Sequence, residues 1–194
     1  IATSFDYGWS RASLPLALPL FHGRLFERPA RRGDVVVFRL PRDPHLNYVK
    51  RVIGVPGDRV MVRAGRVYIN GAAIPARDVG AARDQDSPER AVDAVEETKP
   101  DGGTYVTFDA GPGHAGDDTA TFLVPAGQYF MMGDNRDNSL DSRWPGAVGV
   151  GFVPAENLVG KARLVVASWK PGASRWKPWT WARLKPERFL KPGR

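Results

Sequence analysis

Acids, guanidiniums, amides and hydroxyls crowd into Gly133-Asp134-Asn135-Arg136-Asp137-Asn138-Ser139-Leu140-Asp141-Ser142-Arg143, directly behind the apolar Tyr129-Phe130-Met131-Met132. A strand that delivers such a loop sets many polar groups at its end. Where those groups are buried they must satisfy one another, because an unpaired buried charge is expensive. Such a run shapes a site; a solvated turn is the plain alternative. Calcium is excluded by register. Counted from Asp134, the third position is Arg136, the sixth is Ser139 where a glycine is needed, and the twelfth is Pro145 where a glutamate is needed.

Lys50 is the other residue that suggests chemistry. In an extended segment Tyr48, Lys50 and Val52 share one face, and Val49, Arg51 and Ile53 the other. A lysine held between Tyr and Val against a core loses hydration, which favours its neutral form. To accept a proton near neutral pH it must titrate at roughly 7–8 instead of about 10.4. Read alone, the strand better fits an edge lysine that discourages aggregation.

These residues need a scaffold. With 194 residues the chain can bury one real core and a smaller inserted or appended part. Its 21 Gly and 17 Pro favour turn-rich β structure. The apolar run Asp34–Leu40 predicts a buried strand, and Tyr48–Val55, ended by Pro56-Gly57-Asp58, a second. Short strands follow at 59–63 and 66–70, joined by Ala64-Gly65, with Asn70-Gly71 as a further turn. Residues 76–118 have weaker patterning, with an acidic stretch (Asp84 to Glu97) before a hairpin at Asp101-Gly102-Gly103. Strand character returns at 121–124, 129–132 and 158–168. The expectation is a mainly β protein of antiparallel sheets. Its discontinuous core spans 1–58 and 122–172, with a smaller β subdomain inserted at 59–121 and a basic, Trp-rich segment at 173–194.

The net charge is +7, and from Lys161 onward only Glu187 opposes a series of lysines and arginines. Trp169, Trp176, Trp179 and Trp181 are interleaved with them. Indoles mixed with cations suit packing on the chain's own domain or contact with a membrane–water interface. Stacking on single-stranded nucleic acid is the weaker reading. The most apolar stretch, Leu14–Phe21, is too short to span a bilayer and contains Pro15 and Pro19. There is no cysteine, and His22, His45 and His114 stand apart, so neither a zinc site nor a Ser-His-Asp triad is suggested.

Taken together, Tyr48–Asp58 and Gly133–Arg143 resemble the signature boxes of type I bacterial signal peptidases, which are serine–lysine endopeptidases. Arg32–Phe38 and Val153–Gly160 extend the likeness. The resemblance implies a membrane-associated enzyme that removes amino-terminal signal peptides from exported proteins at Ala-X-Ala-like sites. Its catalytic domain would sit on the outer face of the plasma membrane, touching lipid. By the same resemblance Lys50 is the general base and Ser139 steadies its amine. Arg51, Asp134, Arg136, Asp141 and Arg143 form a supporting ion-pair lattice. Asn47, Tyr48 and Val49, with Val37, receive the substrate. No metal, cofactor or nucleic acid is implied, and a monomer is expected. The family's nucleophile lies in a Ser-Met-x-Pro box ahead of the lysine. Ser4, Ser10 and Ser13 do not fit that box, which places the nucleophile and its oxyanion donors before Ile1 and makes these residues inactive alone. A self-cleaving repressor of the serine–lysine type, or a non-catalytic binding module, are the alternatives.

Overall fold

A computed structural model describes residues 2–3, 28–84, 87, 89–162, 164–165 and 191–192. The tryptophans of the basic segment, Ser4, Ser10, Ser13 and the Leu14–Phe21 stretch lie outside the described residues. The strands are β1 (Ala2–Thr3), β2 (Val35–Leu40), β3 (Asp43–Gly54), β4 (Arg59–Arg63), β5 (Arg66–Ile69), β6 (Ala72–Ala73), β7 (Ala76–Arg83) and β8 (Ala91–Thr98). They continue with β9 (Thr104–Asp109), β10 (Phe122–Leu123), β11 (Gln128–Met132), β12 (Val153–Pro154), β13 (Leu158–Ala162), β14 (Leu164–Val165) and β15 (Lys191–Pro192). One turn of 3-10 helix, Ala155–Asn157, precedes β13. The protein is mainly β, as the turn-rich composition leads one to expect.

Six strands form the central sheet in the order β1-β13-β2-β3-β11-β12, a second sheet runs β10-β4-β5-β6, and a third runs β7-β8-β9. A two-stranded ladder joins β14 and β15. The pairing between strands is antiparallel throughout these ladders. The central sheet is buried on both faces where β3 meets β11. On one side Val36, Phe38, Leu40, Val52, Tyr129, Met131, Val153 and Leu158 pack together. On the other, Ile53, Phe130 and Met132 pack against Val60, Val62 and Val67 of the second sheet and against Val124, just past β10. A strand covered on both faces reads as a continuous apolar run, as 129–132 does, whereas β2 alternates between buried and half-buried positions. Gly54 permits the close approach of the two sheets: a Cβ there would lie 2.7 Å from Val60 and 3.1 Å from Phe130 Cβ.

Two features differ from expectation. β3 begins at Asp43, earlier than the Tyr48 start the sequence suggests, because Arg39 and Leu40 pair with Asn47 and Asp43 across a tight turn. Its first residues are mostly exposed and show no alternation. β7 has no sequence signature at all, being nearly all exposed, and is held in extended form by its backbone ladder to β8. The hairpin at Asp101–Gly103 is present between β8 and β9, and Ala64-Gly65 and Asn70-Gly71 make their turns with positive φ.

The Pro56-Gly57-Asp58 turn that ends β3 is locked by the buried Asp58 carboxylate. It accepts the Val55 N–H at 2.8 Å, the Asn70 amide at 3.0 Å and Arg32 Nε at 2.8 Å. Burial opposes ionisation, but Arg32, the Val55 N–H and Asn70 together outweigh it, and the carboxyl titrates below its ordinary value. A depressed carboxylate contributes stability that is present above the unfolded value near 3.9 and is lost as pH falls through the folded one. Asp58→Asn is therefore expected to destabilise by about 1–3 kcal/mol near pH 7. In urea unfolding the gap to wild type should narrow as the pH falls below the ordinary carboxylate range.

Candidate functional site

Lys50 sits on β3 opposite the buried Val36, with Tyr48 and Val52 on the same face. Its amine is half-buried and donates to Ser139 Oγ at 2.7 Å, a contact 89 residues apart in sequence. β11 pairs with β3 through Met132↔Arg51 and Met131↔Val52, so the loop that follows Met132 starts beside Lys50. Gly133 is required there by space. A Cβ would stand 2.3 Å from Ser139 Oγ and 3.3 Å from Lys50 Nζ.

The loop is held by a lattice of charges. Asp141 is fully buried and receives Arg143 Nε and Nη2, both at 2.9 Å, and the Gly133 N–H at 3.0 Å. Arg143 also donates to the carbonyls of Arg136 and Gly116. Arg51, on the opposite face of β3 from Lys50, grips Asp134 at 2.8 and 2.7 Å and the Gly33 carbonyl at 2.8 Å. Arg136 donates to Glu97 at 2.5 Å. The Trp144 indole N–H donates to the Ser139 carbonyl at 3.2 Å. In this way the structure brings together Lys50, Ser139, Arg51, Asp134, Arg136, Asp141 and Arg143.

Asn47 and Val49 are exposed, while Tyr48 and Val37 are half-buried; Val37 pairs with Val49 and Tyr48 with Phe38. β11 covers β3 only from Arg51 onward. Among the described residues, no strand pairs with the other edge of β3 between Asp43 and Val49, which leaves an extended edge leading to Lys50.

Several participants escape a reading of the sequence. Ser142 accepts the Met131 N–H at 2.8 Å and donates to the Gly151 carbonyl at 2.5 Å, sewing the loop's end to β11. Arg42 donates to the carbonyls of Ala147 and Val148 at 3.0 and 2.6 Å, tying the β2–β3 turn to the segment behind the loop. Glu97 and Tyr105 come from the third sheet. The Tyr105 hydroxyl donates to Glu97 at 2.6 Å, and burial, with the Glu97 charge next, raises its pKa. Their only sequence signal is an acid and an aromatic at inward positions of a hairpin. Among the described residues no group of His, Asp or Glu could hold a metal ion.

A half-buried amine thus meets a hydroxyl within a lattice of ion pairs, beside a strand edge that no described strand pairs with. The chain matches the family described as signal peptidase, peptidase S26, over residues 3–169, and it belongs to that family. Signal peptidase I of Rickettsia typhi is 42% identical over 177 residues, covering 87% of this chain and 65% of that protein. Signal peptidase I of Rickettsia akari is 40% identical over 177 residues, covering 87% and 64%. The chain thus spans slightly less than two thirds of the length of these relatives. A signal peptidase I of Enterococcus faecalis of known structure is 25% identical, with a TM-score of 0.39, covering 71% of this chain and 98% of that one.

Proposed function

We propose that this chain is the larger part of a membrane-associated serine endopeptidase that removes amino-terminal signal peptides from exported proteins, with Lys50 as general base. The observation that carries the proposal is the 2.7 Å contact between Lys50 Nζ and Ser139 Oγ in a member of the signal peptidase family. A neutral Lys50 amine takes the proton of a serine hydroxyl as that oxygen attacks the scissile carbonyl, and then hands it to the leaving amine. Ser139 aims the amine. Arg51, Asp134, Arg136, Asp141 and Arg143 keep the loop in place without touching the reacting atoms.

The leader lies extended along the open edge of β3 at Asn47, Tyr48 and Val49, and the shallow apolar surface there, with Val37, selects small residues in an Ala-X-Ala-like sequence. The enzyme works as a monomer at the outer face of the plasma membrane, against lipid. Its nucleophile is supplied from sequence preceding Ile1. Support comes from the described serines: Ser142 has its hydroxyl committed between Met131 and Gly151, and Ser87 follows the outer sheet's β7. Among the described serines, only Ser139 accepts from the amine.

The test is cleavage of a synthetic leader peptide by the full-length protein and by these 194 residues alone. Full-length protein should cleave and the shorter chain should not. Cleavage by the shorter chain that disappears in Lys50→Ala would place the nucleophile within it. A second expectation concerns Gly133. Gly133→Ala pushes Ser139 off the amine and should lower kcat by about 10- to 100-fold, a typical cost for a displacement near 1 Å. KM and the far-ultraviolet circular dichroism should be nearly unchanged, since the β3 edge is untouched.

A further inference from the structure

We infer that Glu97 and Tyr105, carried by the third sheet, are positioning residues that hold Lys50 and Ser139 in register through two arginines. The inference rests on the proposed cleavage for its kinetic readout. The Arg51 guanidinium is enclosed by the Tyr105 ring, whose centroid lies 4.0 Å away, by the Asp134 carboxylate and by the Gly33 carbonyl. Arg51 is the chain neighbour of Lys50 and points to the opposite face. Fixing Arg51 therefore fixes the rotation of β3 about its own axis, and with it the direction of the Lys50 side chain.

The other arm runs through the polar loop. Arg136 lies three residues before Ser139, and its guanidinium donates to Glu97 Oε2, the same oxygen that accepts the Tyr105 hydroxyl. The backbone repeats the connection. Phe108 N–H donates to the Asp134 carbonyl and Arg136 N–H to the Phe108 carbonyl, both at 2.8 Å. One buried carboxylate oxygen thus ties the Lys50 arm, by way of Tyr105 and Arg51, to the Ser139 arm, by way of Arg136. Glu97, Tyr105, Arg51 and Arg136 are all buried, so the links act in a low-dielectric setting where loss of one partner is felt by the rest.

If these side chains only glued the third sheet to the core, their loss would lower stability and leave the amine's titration alone. A positioning role makes a different demand. In the full-length enzyme, Glu97→Gln and Tyr105→Leu should each lower kcat by about 10- to 100-fold, with KM within about twofold of wild type. Tyr105→Phe keeps the ring against Arg51 and should lose only about threefold. In the two stronger variants the acidic limb of the kcat/KM profile should move to higher pH, by roughly half a unit or more, because a displaced Ser139 lets water reach the Lys50 amine and favours its charged form. Arg77→Ala removes an exposed ion pair to Glu96 on the same sheet and should change neither quantity. The variants are compared where urea titration shows each fully folded. A kcat loss that follows only the unfolded fraction, with the limb unmoved, would overturn the inference. If wild type cleaves no leader, the proposed function fails instead, and NMR titration of the Lys50 Cε resonance decides the inference: an upward move in Glu97→Gln and Tyr105→Leu supports it, and an unchanged midpoint refutes it.

Discussion

Lys50→Met in the full-length protein is expected to lower kcat/KM for a leader peptide by about 10²- to 10⁴-fold, the range by which a general base contributes. Methionine has nearly the length of lysine and no charge, so it fills the half-buried slot between Tyr48, Val52 and Val36 without leaving a hole. The fold should therefore survive, with a urea midpoint equal to or above that of wild type. Lys50→Arg should be as inactive as Lys50→Met, because a guanidinium stays charged and cannot accept the serine proton. The rising limb of the pH–rate profile should vanish with the amine. A Lys50→Met enzyme that retains activity within tenfold of wild type would end the general-base reading.

The second large effect is structural. Asp141→Ala removes a carboxylate with no solvent exposure and leaves the Arg143 guanidinium buried with only the carbonyls of Arg136 and Gly116, and the Gly133 N–H without an acceptor. Breaking a buried pair from one side costs about 3–5 kcal/mol, because the remaining charge is uncompensated. Urea unfolding followed by circular dichroism should show a fall of that size. Adding Arg143→Met to Asp141→Ala should recover a substantial part of it, since the stranded charge is then gone. Should the double variant be as unstable as the sum of the two single ones, the pair is not what holds the loop.

Where both faces of a strand are covered, the sequence announces it. The buried Tyr129–Met132 run, the branched valines of β2, and Gly65, Asn70 and Gly71 at positive φ all carry local causes, although Ala64 at positive φ has none. β7 and the first half of β3 do not, because solvent on both sides erases alternation and only the backbone ladder makes them strands. The site divides in a similar way. That the loop's acids and arginines must pair is legible from their crowding. That Lys50 meets Ser139 is not, since no periodicity links residues 89 apart, and the expectation came from motif resemblance. Glu97 and Tyr105 were invisible because their partners lie in another sheet, a relation that only tertiary packing creates.

The separation between the amine and its hydroxyl has a consequence for the protein's own synthesis. A ribosome releases Lys50 long before Ser139, and in between must come the second and third sheets, with Glu97 and Tyr105 on the latter. Closing so long a span is slow compared with forming local hairpins. The newborn polypeptide thus passes through a lengthy interval in which most of its β structure has emerged but Lys50 and Ser139 have not met. Under the proposed function, hydrolytic competence would arrive late, once the loop has docked.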